Sequence, residues 1–443
     1  MRLSTSYRQI LAISVPIMLA SATQNVIVLS DNIFLNSVSR LDFAAVGIVG
    51  VFYLLIASIG YGFSRGGQII IARRSGQRAY REVGTSFQSL FFFELALAVG
   101  LFIFLQLFSE AFFSLFIDDP EILSRCLAYI YPRSYGVFFS YLGVALISLY
   151  TGIARTRFII YTTLVLTVVN VILNYALIFG KWGMPQMGIA GAGLASTLAE
   201  AVAFVMFILY MLFDHSLKKY HLLDFSGLST YVMQKVFNLS YPIVLQSAVG
   251  LGSWFIFFAF VENLGAEELS VSNLIRNVYL ILSVPCWGFA AGINTIASGF
   301  IGQRKSQAVL PMIKKTALLS TITTALLSLP VVLAPRLVLT PLFGAGDSTL
   351  IAEAVPYMPL LFVILVTFAA GSIYMNGLIG IGKTRYALAI QSLMTIFYVI
   401  YTYLVLNTFD LGIGWGWAAE IYYWVAMGLL VNWYIKRGNW KYD

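Results

Sequence analysis

The residues best placed to do chemistry in this 443-residue chain are a few acids set inside apolar runs. Asp31 comes near the end of the stretch from Ile10 to Val38 and has no obvious cationic neighbour in sequence. An ionised carboxylate at such a depth costs about 2.5–3.5 kcal/mol on insertion scales. Taking up a proton or binding a cation removes that cost, so Asp31 points to ion coupling. Glu94, Glu200 and Glu420 are the other acids within apolar runs and are secondary candidates, with less polar company. Arg65 and Arg276 are the cations expected to pair with these acids or to snorkel.

The company around Asp31 sharpens the reading. At the helical angle of about 100° per residue, Gln24 falls about 20° from Asp31, while Ser14, Ser21, Asn25, Asn32 and Asn36 fill an adjoining arc. Pro16 removes a backbone hydrogen bond from this helix and is expected to bend it. The helix is then either kinked and packed by its polar side, or kinked, facing water and rearranged when Asp31 changes state. Further on, Thr163, Thr167, Asn170 and Asn174 are spaced to share one face. Such groups cement helix packing. Beside one carboxylate their oxygens also suit sodium, or cage a protonated acid. A sodium ion at Asp31, Asn170 and Asn174 is the one metal expectation. Ser196, Thr197 and Glu200 share another face, and Tyr129 stands with Tyr131 and Tyr135 where belt residues or cavity lining are expected.

The elements that must position these groups follow from composition. The chain is 60% hydrophobic and 10% charged, against about 25% charged in soluble domains. Its runs are long and continuous, which predicts membrane-crossing helices and not alternating barrel strands. Twelve spans are expected, near 10–36, 43–72, 86–117, 127–153, 158–180, 188–213, 233–262, 269–301, 310–343, 355–381, 386–409 and 412–435. The net charge of +8 is placed asymmetrically. Arg73, Arg74, Arg155, Lys218, Lys235, Arg304, Lys314 and Lys436 fall on one side when both termini are cytoplasmic, which is the positive-inside pattern. That removes any need for a nucleic-acid partner. Cys126 and Cys286 give no metal spacing, His215 and His221 lie in a loop, and no glycine-rich phosphate loop is present. No enzyme, cofactor or ATP motor is expected.

The halves repeat. Ser14-Val15-Pro16-Ile17 matches Ser240-Tyr241-Pro242-Ile243, and Gly66 with Gly76-Gln77-Arg78 matches Gly292 with Gly302-Gln303-Arg304, all 226 positions apart. Gly152 to Arg157 matches Gly380 to Arg385, and Gly188-Ile189 matches Gly412-Ile413. Six spans per copy give a parallel repeat. The expected division is an N-terminal lobe over 1–213, a cytoplasmic linker over 214–235 and a C-terminal lobe over 236–443.

These motifs carry a family resemblance. Pro16 followed by Asp31, Gly66-Gly67-Gln68 leading to Arg73-Arg74-Ser75-Gly76, Asn170-Val171-Ile172-Leu173-Asn174, and Gly188 to Ala195 together resemble the multidrug and toxic compound extrusion (MATE) transporters over nearly the whole chain. The resemblance implies an all-α protein of twelve transmembrane helices in two pseudosymmetric six-helix bundles forming a V. It implies export of organic cations or other amphipathic compounds in exchange for protons or sodium. The family roles map onto Asp31 as coupling carboxylate, with Gln24, Asn170, Asn174, Ser196 and Thr197 near it and Pro16 at the bend. Asn174 stands where many relatives carry aspartate, and Pro242 is followed by Ile243 to Trp254 with no acid, so the chain looks closer to the branch called DinF-like. A monomer in a bacterial or archaeal plasma membrane is expected. The competing expectation is a flippase for lipid-linked oligosaccharides, for which Arg65, Arg133 and Arg276 are the candidate cavity cations.

Overall fold

Backbone in hydrocarbon must satisfy its own hydrogen bonds, and the apolar runs do so as helices. The computed structural model describes residues 3–224, 228–343, 348–438 and 440; the side chains of residues 23–33, 36–38, 40, 43–44, 342–343 and 348 lie outside that description. The first half runs through α1 (Tyr7–Val38), α2 (Arg40–Gln77), α3 (Tyr80–Phe113), α4 (Pro120–Ser134), α5 (Gly136–Gly152), α6 (Arg157–Phe179) and α7 (Ile189–Phe213). The second runs through α8 (Thr230–Glu262), α9 (Ala266–Leu282), α10 (Val284–Gly302), α11 (Val309–Leu333), α12 (Pro335–Phe343), α13 (Ser348–Ala354), α14 (Met358–Ile381), α15 (Thr384–Tyr403) and α16 (Ile413–Arg437).

Helix occupies each of the twelve expected spans. Among the described residues, nine helical stretches are long and apolar enough to cross a membrane, and α4 with α5, bent by 48° between them, makes a tenth. Pro132 lies inside α4 just before that bend, where a missing amide donor weakens the helix. The helices α1 and α16 fill the two remaining spans. The chain is an integral, multi-pass membrane protein.

The repeat is written into the backbone. Arg78 and Arg304, 226 positions apart, both take left-handed φ, 60° and 58°, at the ends of α2 and α10. Such a conformation closes a helix and is rare without glycine. Ala154 and Gly382, then Gly188 and Gly412, repeat positive φ at the other matched loops. Chain reversals are thus copied even where the residue type has changed.

Two compact units emerge, one of Leu19–Tyr241 and one of Arg2–Met18 with Pro242–Asp443. The division therefore falls inside α1 and α8, two residues after Pro16 and directly before Pro242, and not in the linker. The first unit is filled by two apolar clusters, one around Leu90, Leu149 and Tyr150 and one around Leu105, Ile130 and Tyr141. The second is filled around Trp417, Leu365 and Ile364.

Each unit grips the leading segment it receives by the same device. In the first unit Ser240 donates to the Phe63 carbonyl at 3.0 Å, and a Cβ added to Gly66 would meet the Ser240 hydroxyl and come within 3.2 Å of its backbone nitrogen. In the second, Ser14 faces Gly292, and a Cβ on Gly288 would lie 2.8 Å from the Ser14 carbonyl and 2.9 Å from the Met18 amide nitrogen. Small residues let the helix backbones approach this closely.

The linker is docked onto α3. Gln88 Nε2 donates to the His221 carbonyl at 2.9 Å and the Leu222 carbonyl at 3.2 Å, and Leu217, Tyr220 and Leu222 are buried. Burial pushes the Asp214 carboxyl up, but hydrogen bonds from the Ser216 hydroxyl and amide and the charge of Arg155 outweigh it and hold it below its ordinary range.

Gly66→Ala and Gly288→Ala should each lower stability by about 1–3 kcal/mol, the usual cost of overpacking a close contact. Gly100→Ala, with nothing within 4 Å of the added Cβ, should leave it unchanged or slightly raised. Thermal unfolding in detergent reads the three side by side; equal melting temperatures would remove the close-packing account.

Candidate functional site

The polar face of α6 is buried as the spacing requires. Thr163, Thr167, Asn170 and Asn174 are each less than a tenth exposed. Thr163 and Thr167 turn their hydroxyls back to carbonyls one turn earlier, at 2.8 and 3.1 Å. The two asparagines reach outward from that pattern. Asn174 Nδ2 donates to Asn170 Oδ1 at 3.1 Å, and Asn170 Nδ2 donates to Ser196 Oγ of α7 at 3.1 Å. The close approach of α6 and α7 depends on Gly191, where a Cβ would lie 2.8 Å from the Leu177 carbonyl. This chain of amides and a hydroxyl gathers neutral oxygens, the donor type that sodium or a protonated acid accepts. Asp31 and Gln24 fall on α1 in the same unit, but their side chains lie outside the described residues. Pro16 sits within the unbroken helix α1.

Thr197 and Glu200 belong to a second polar cluster. Thr197 Oγ1 donates to the Pro132 carbonyl at 3.0 Å. Arg133 Nη1 and Nη2 donate to the two carboxylate oxygens of Glu200 at 2.7 and 2.6 Å. The guanidinium stacks 4.0 Å from the centre of the Tyr53 ring. Gly136, at the foot of α5, leaves room for the pair, since a Cβ there would meet Arg133 Nη1. Tyr129 is buried one turn before Arg133, in the core and not on an interfacial belt.

The other two acids have different surroundings. Glu94 of α3 is fully buried, and neither carboxylate oxygen has a hydrogen-bond partner among the described residues. Glu420 of α16 lies in an aromatic cage in the second unit. Trp254 Nε1 donates to its Oε1 at 3.0 Å, Trp424 Nε1 donates to its Oε2 at 2.9 Å, and the Tyr398 hydroxyl also bonds the carboxyl. Of the two expectations for Arg65 and Arg276, snorkelling or pairing with these acids, the pairing is not found among the described residues. Glu200 takes Arg133 instead, Glu420 takes indoles, and Arg276 sits 4.8 Å over the Phe258 ring. The cage was missed because only the Glu420–Trp424 step is a helical neighbour; Trp254 is 166 positions away.

Comparison with known proteins places this geometry. A family model described as MatE matches the chain twice, at residues 16–176 and 242–404, so each match starts at one of the paired prolines. The chain is 25% identical over 317 residues to the probable multidrug resistance protein NorM of Synechocystis, covering 71% of this chain and 67% of that protein. It is 24% identical over 315 residues to the multidrug resistance protein MdtK of Yersinia pseudotuberculosis, covering 68% of each. A solved structure described as an outward-facing multidrug resistance MATE family transporter of the MOP superfamily matches with a TM-score of 0.87 over 97% of this chain and 95% of that one, at 18% identity. At that identity the likeness speaks for the fold.

A bidentate pair with its cation buried and its carboxylate largely so is hard to break from one side. Glu200→Gln or Arg133→Met alone should cost about 3–5 kcal/mol by leaving a buried group uncompensated, while Arg133→Met with Glu200→Met together should recover most of it. Chemical or thermal unfolding of the three variants checks this; a double variant as unstable as the singles would contradict it.

Proposed function

The chain belongs to the MatE family of multidrug efflux transporters, and from that premise we propose a secondary antiporter coupled through Asp31. It is a transporter and not an enzyme. Its clients are organic cations and other amphipathic small molecules, exchanged for protons or sodium ions. We place it as a monomer in a bacterial or archaeal plasma membrane with both termini cytoplasmic.

The observation that carries the reading is the buried chain Asn174–Asn170–Ser196, in the same unit as Asp31. A carboxyl that such oxygens can reach exchanges one positive charge where no fixed cation balances it. Ion uptake neutralises the acid, removes the penalty of burying it and so favours one state of the first unit. A potential of 100 mV contributes about 2.3 kcal/mol per charge moved, which supports a roughly fiftyfold solute gradient. Glu94 is the second-rank carrier of the same charge; Glu420, already held by two indole donors, ranks behind it. Glu200 is set aside because Arg133 already compensates it.

A flippase for phosphate-bearing lipids would want free cations along its route. Arg133, one of three candidates for that role, is engaged by Glu200 and stacked on Tyr53, which favours the efflux reading.

Asp31→Asn should insert and fold normally yet abolish gradient-driven efflux of a fluorescent cation from proteoliposomes. Asn170→Ala should lower the rate about tenfold, the effect of one lost hydrogen bond to a charged or ion-bound group. Imposing sodium and pH gradients separately identifies the coupling ion. Undiminished efflux by Asp31→Asn would remove the proposed mechanism.

A further inference from the structure

A cavity of about 180 Å³ opens between the end of α2 and the start of α8, both within the first unit. Its walls are of two kinds. Ile69, Ile70 and Leu239 make an apolar side; Arg73, Arg74 and Lys235 bring three cations to the other. Arg74 is tied to Gln77 at 3.0 Å and paired with Glu82 at 2.8 Å, which fixes its guanidinium and offsets part of its charge. Two guanidinium groups and an ammonium around one small cavity match the charge and donor pattern of a phosphate.

Helix length sets the depth of this cavity. The 38 residues of α2 extend about 57 Å, far more than the hydrocarbon thickness of about 30 Å. Arg73 and Arg74 lie near its last turn, and Lys235 in the second turn of α8. The cations therefore reach the headgroup level, with isoleucine and leucine side chains directed to the apolar side. Basic pockets between helices at that level receive anionic headgroups.

The internal repeat supplies a comparison within one chain. At the 226-residue offset, Ile70, Gln77 and Leu239 correspond to Ile296, Gln303 and Ile13, so most of the apolar and amide scaffold is kept, Ile69 alone giving way to Thr295. Arg73, Arg74 and Lys235 correspond to Gly299, Phe300 and Gln9. The scaffold packs in the second copy without a cation at any of the three positions, so the charges in the first copy are not a requirement of helix packing.

We propose that Arg73, Arg74 and Lys235 form a binding site for a phosphate group, carried by an anionic phospholipid headgroup or by a free phosphate. A phosphate seated there bridges α2 and the leading segment of α8. It thereby strengthens the hold of the first unit on the segment that runs to Ser240 and Pro242.

The test uses the purified full chain in detergent micelles and counts bound molecules by native mass spectrometry over a titration. The probes are dioleoylphosphatidylglycerol, dioleoylphosphatidylcholine and inorganic phosphate. Dioleoylphosphatidylglycerol should bind about tenfold tighter than dioleoylphosphatidylcholine, and each cation removed should weaken it about fivefold. The combined Arg73→Gln, Arg74→Gln and Lys235→Gln variant should then lose roughly a hundredfold, while Lys314→Gln, on α11, binds as the unaltered protein does. Loss of bound phosphatidylglycerol on adding inorganic phosphate assigns a free anion as sufficient; retention assigns the lipid. Should the triple variant not fold, Lys235→Gln alone carries the fivefold expectation. Equal retention of both lipids with no binding of inorganic phosphate, or an unchanged affinity in the folded variants, overturns the site.

Discussion

A carboxyl group enclosed by helices in hydrocarbon has few stable surroundings: a fixed cation, a set of hydrogen-bond donors, or a mobile positive ion. The described acids divide along that line. Glu200 has the fixed cation, held in two parallel bonds by Arg133. Glu420 has the donors, two indoles and a phenol. Glu94 has neither. Transport needs a group of the third kind, because a charge already balanced by the protein gains little from an ion. This constraint separates acids that hold the fold from acids that can follow a gradient, and it is why Glu200 falls out of the coupling set despite its place beside Thr197.

The duplicated construction gives such a group leverage. Two units share the chain, and each includes the leading segment of a helix whose remainder belongs to the other. Ser240 against Gly66 and Ser14 against Gly292 are the same contact made twice, with Pro16 and Pro242 just beyond. Along the chain, α1 and α8 are therefore continuous paths between the units, and both pass a residue that lacks an amide donor at the crossing. Asp31 lies on one of these helices and Lys235 on the other. On the proposed reading, an ion taken up in the first unit, or an anion held at its edge, would act on a helix that is shared.

Much of this could be read from the residues, and the reason differs by feature. The spans are readable because hydrocarbon demands length and apolarity together, and the four matched motifs expose the repeat. The polar stripe of α6 is readable because its members are helical neighbours; Asn170 and Asn174 meet four residues apart. Contacts between helices are not local in sequence. Arg133 finds Glu200 from 67 positions away, and charge alone favoured Arg65 or Arg276 equally. The crossing of α1 and α8 between units was hidden for a related reason: a polar loop marks where a chain is exposed, not where its packing changes sides.

The matched halves also show how one scaffold came to hold two chemistries. Carrying the 228-residue offset of Thr156 and Thr384 along α6 and α15 brings Asn170 opposite Tyr398. The 224-residue offset of Gly188 and Gly412 brings Ser196 opposite Glu420. Both pairs are hydrogen-bonded within their own unit, amide to hydroxyl in the first and phenol to carboxyl in the second. The position is thus polar in both copies. Around Asn170 the neighbours offer neutral oxygens, whereas around Glu420 two tryptophans supply donors already committed to the acid. An ion approaching Glu420 must compete with those donors for the carboxylate, while one approaching the amide chain of the first unit meets a second lone pair on Asn170 Oδ1. That difference in prior commitment is the physical reason to seat coupling in the first unit and to read Glu420 as an acid held by its cage.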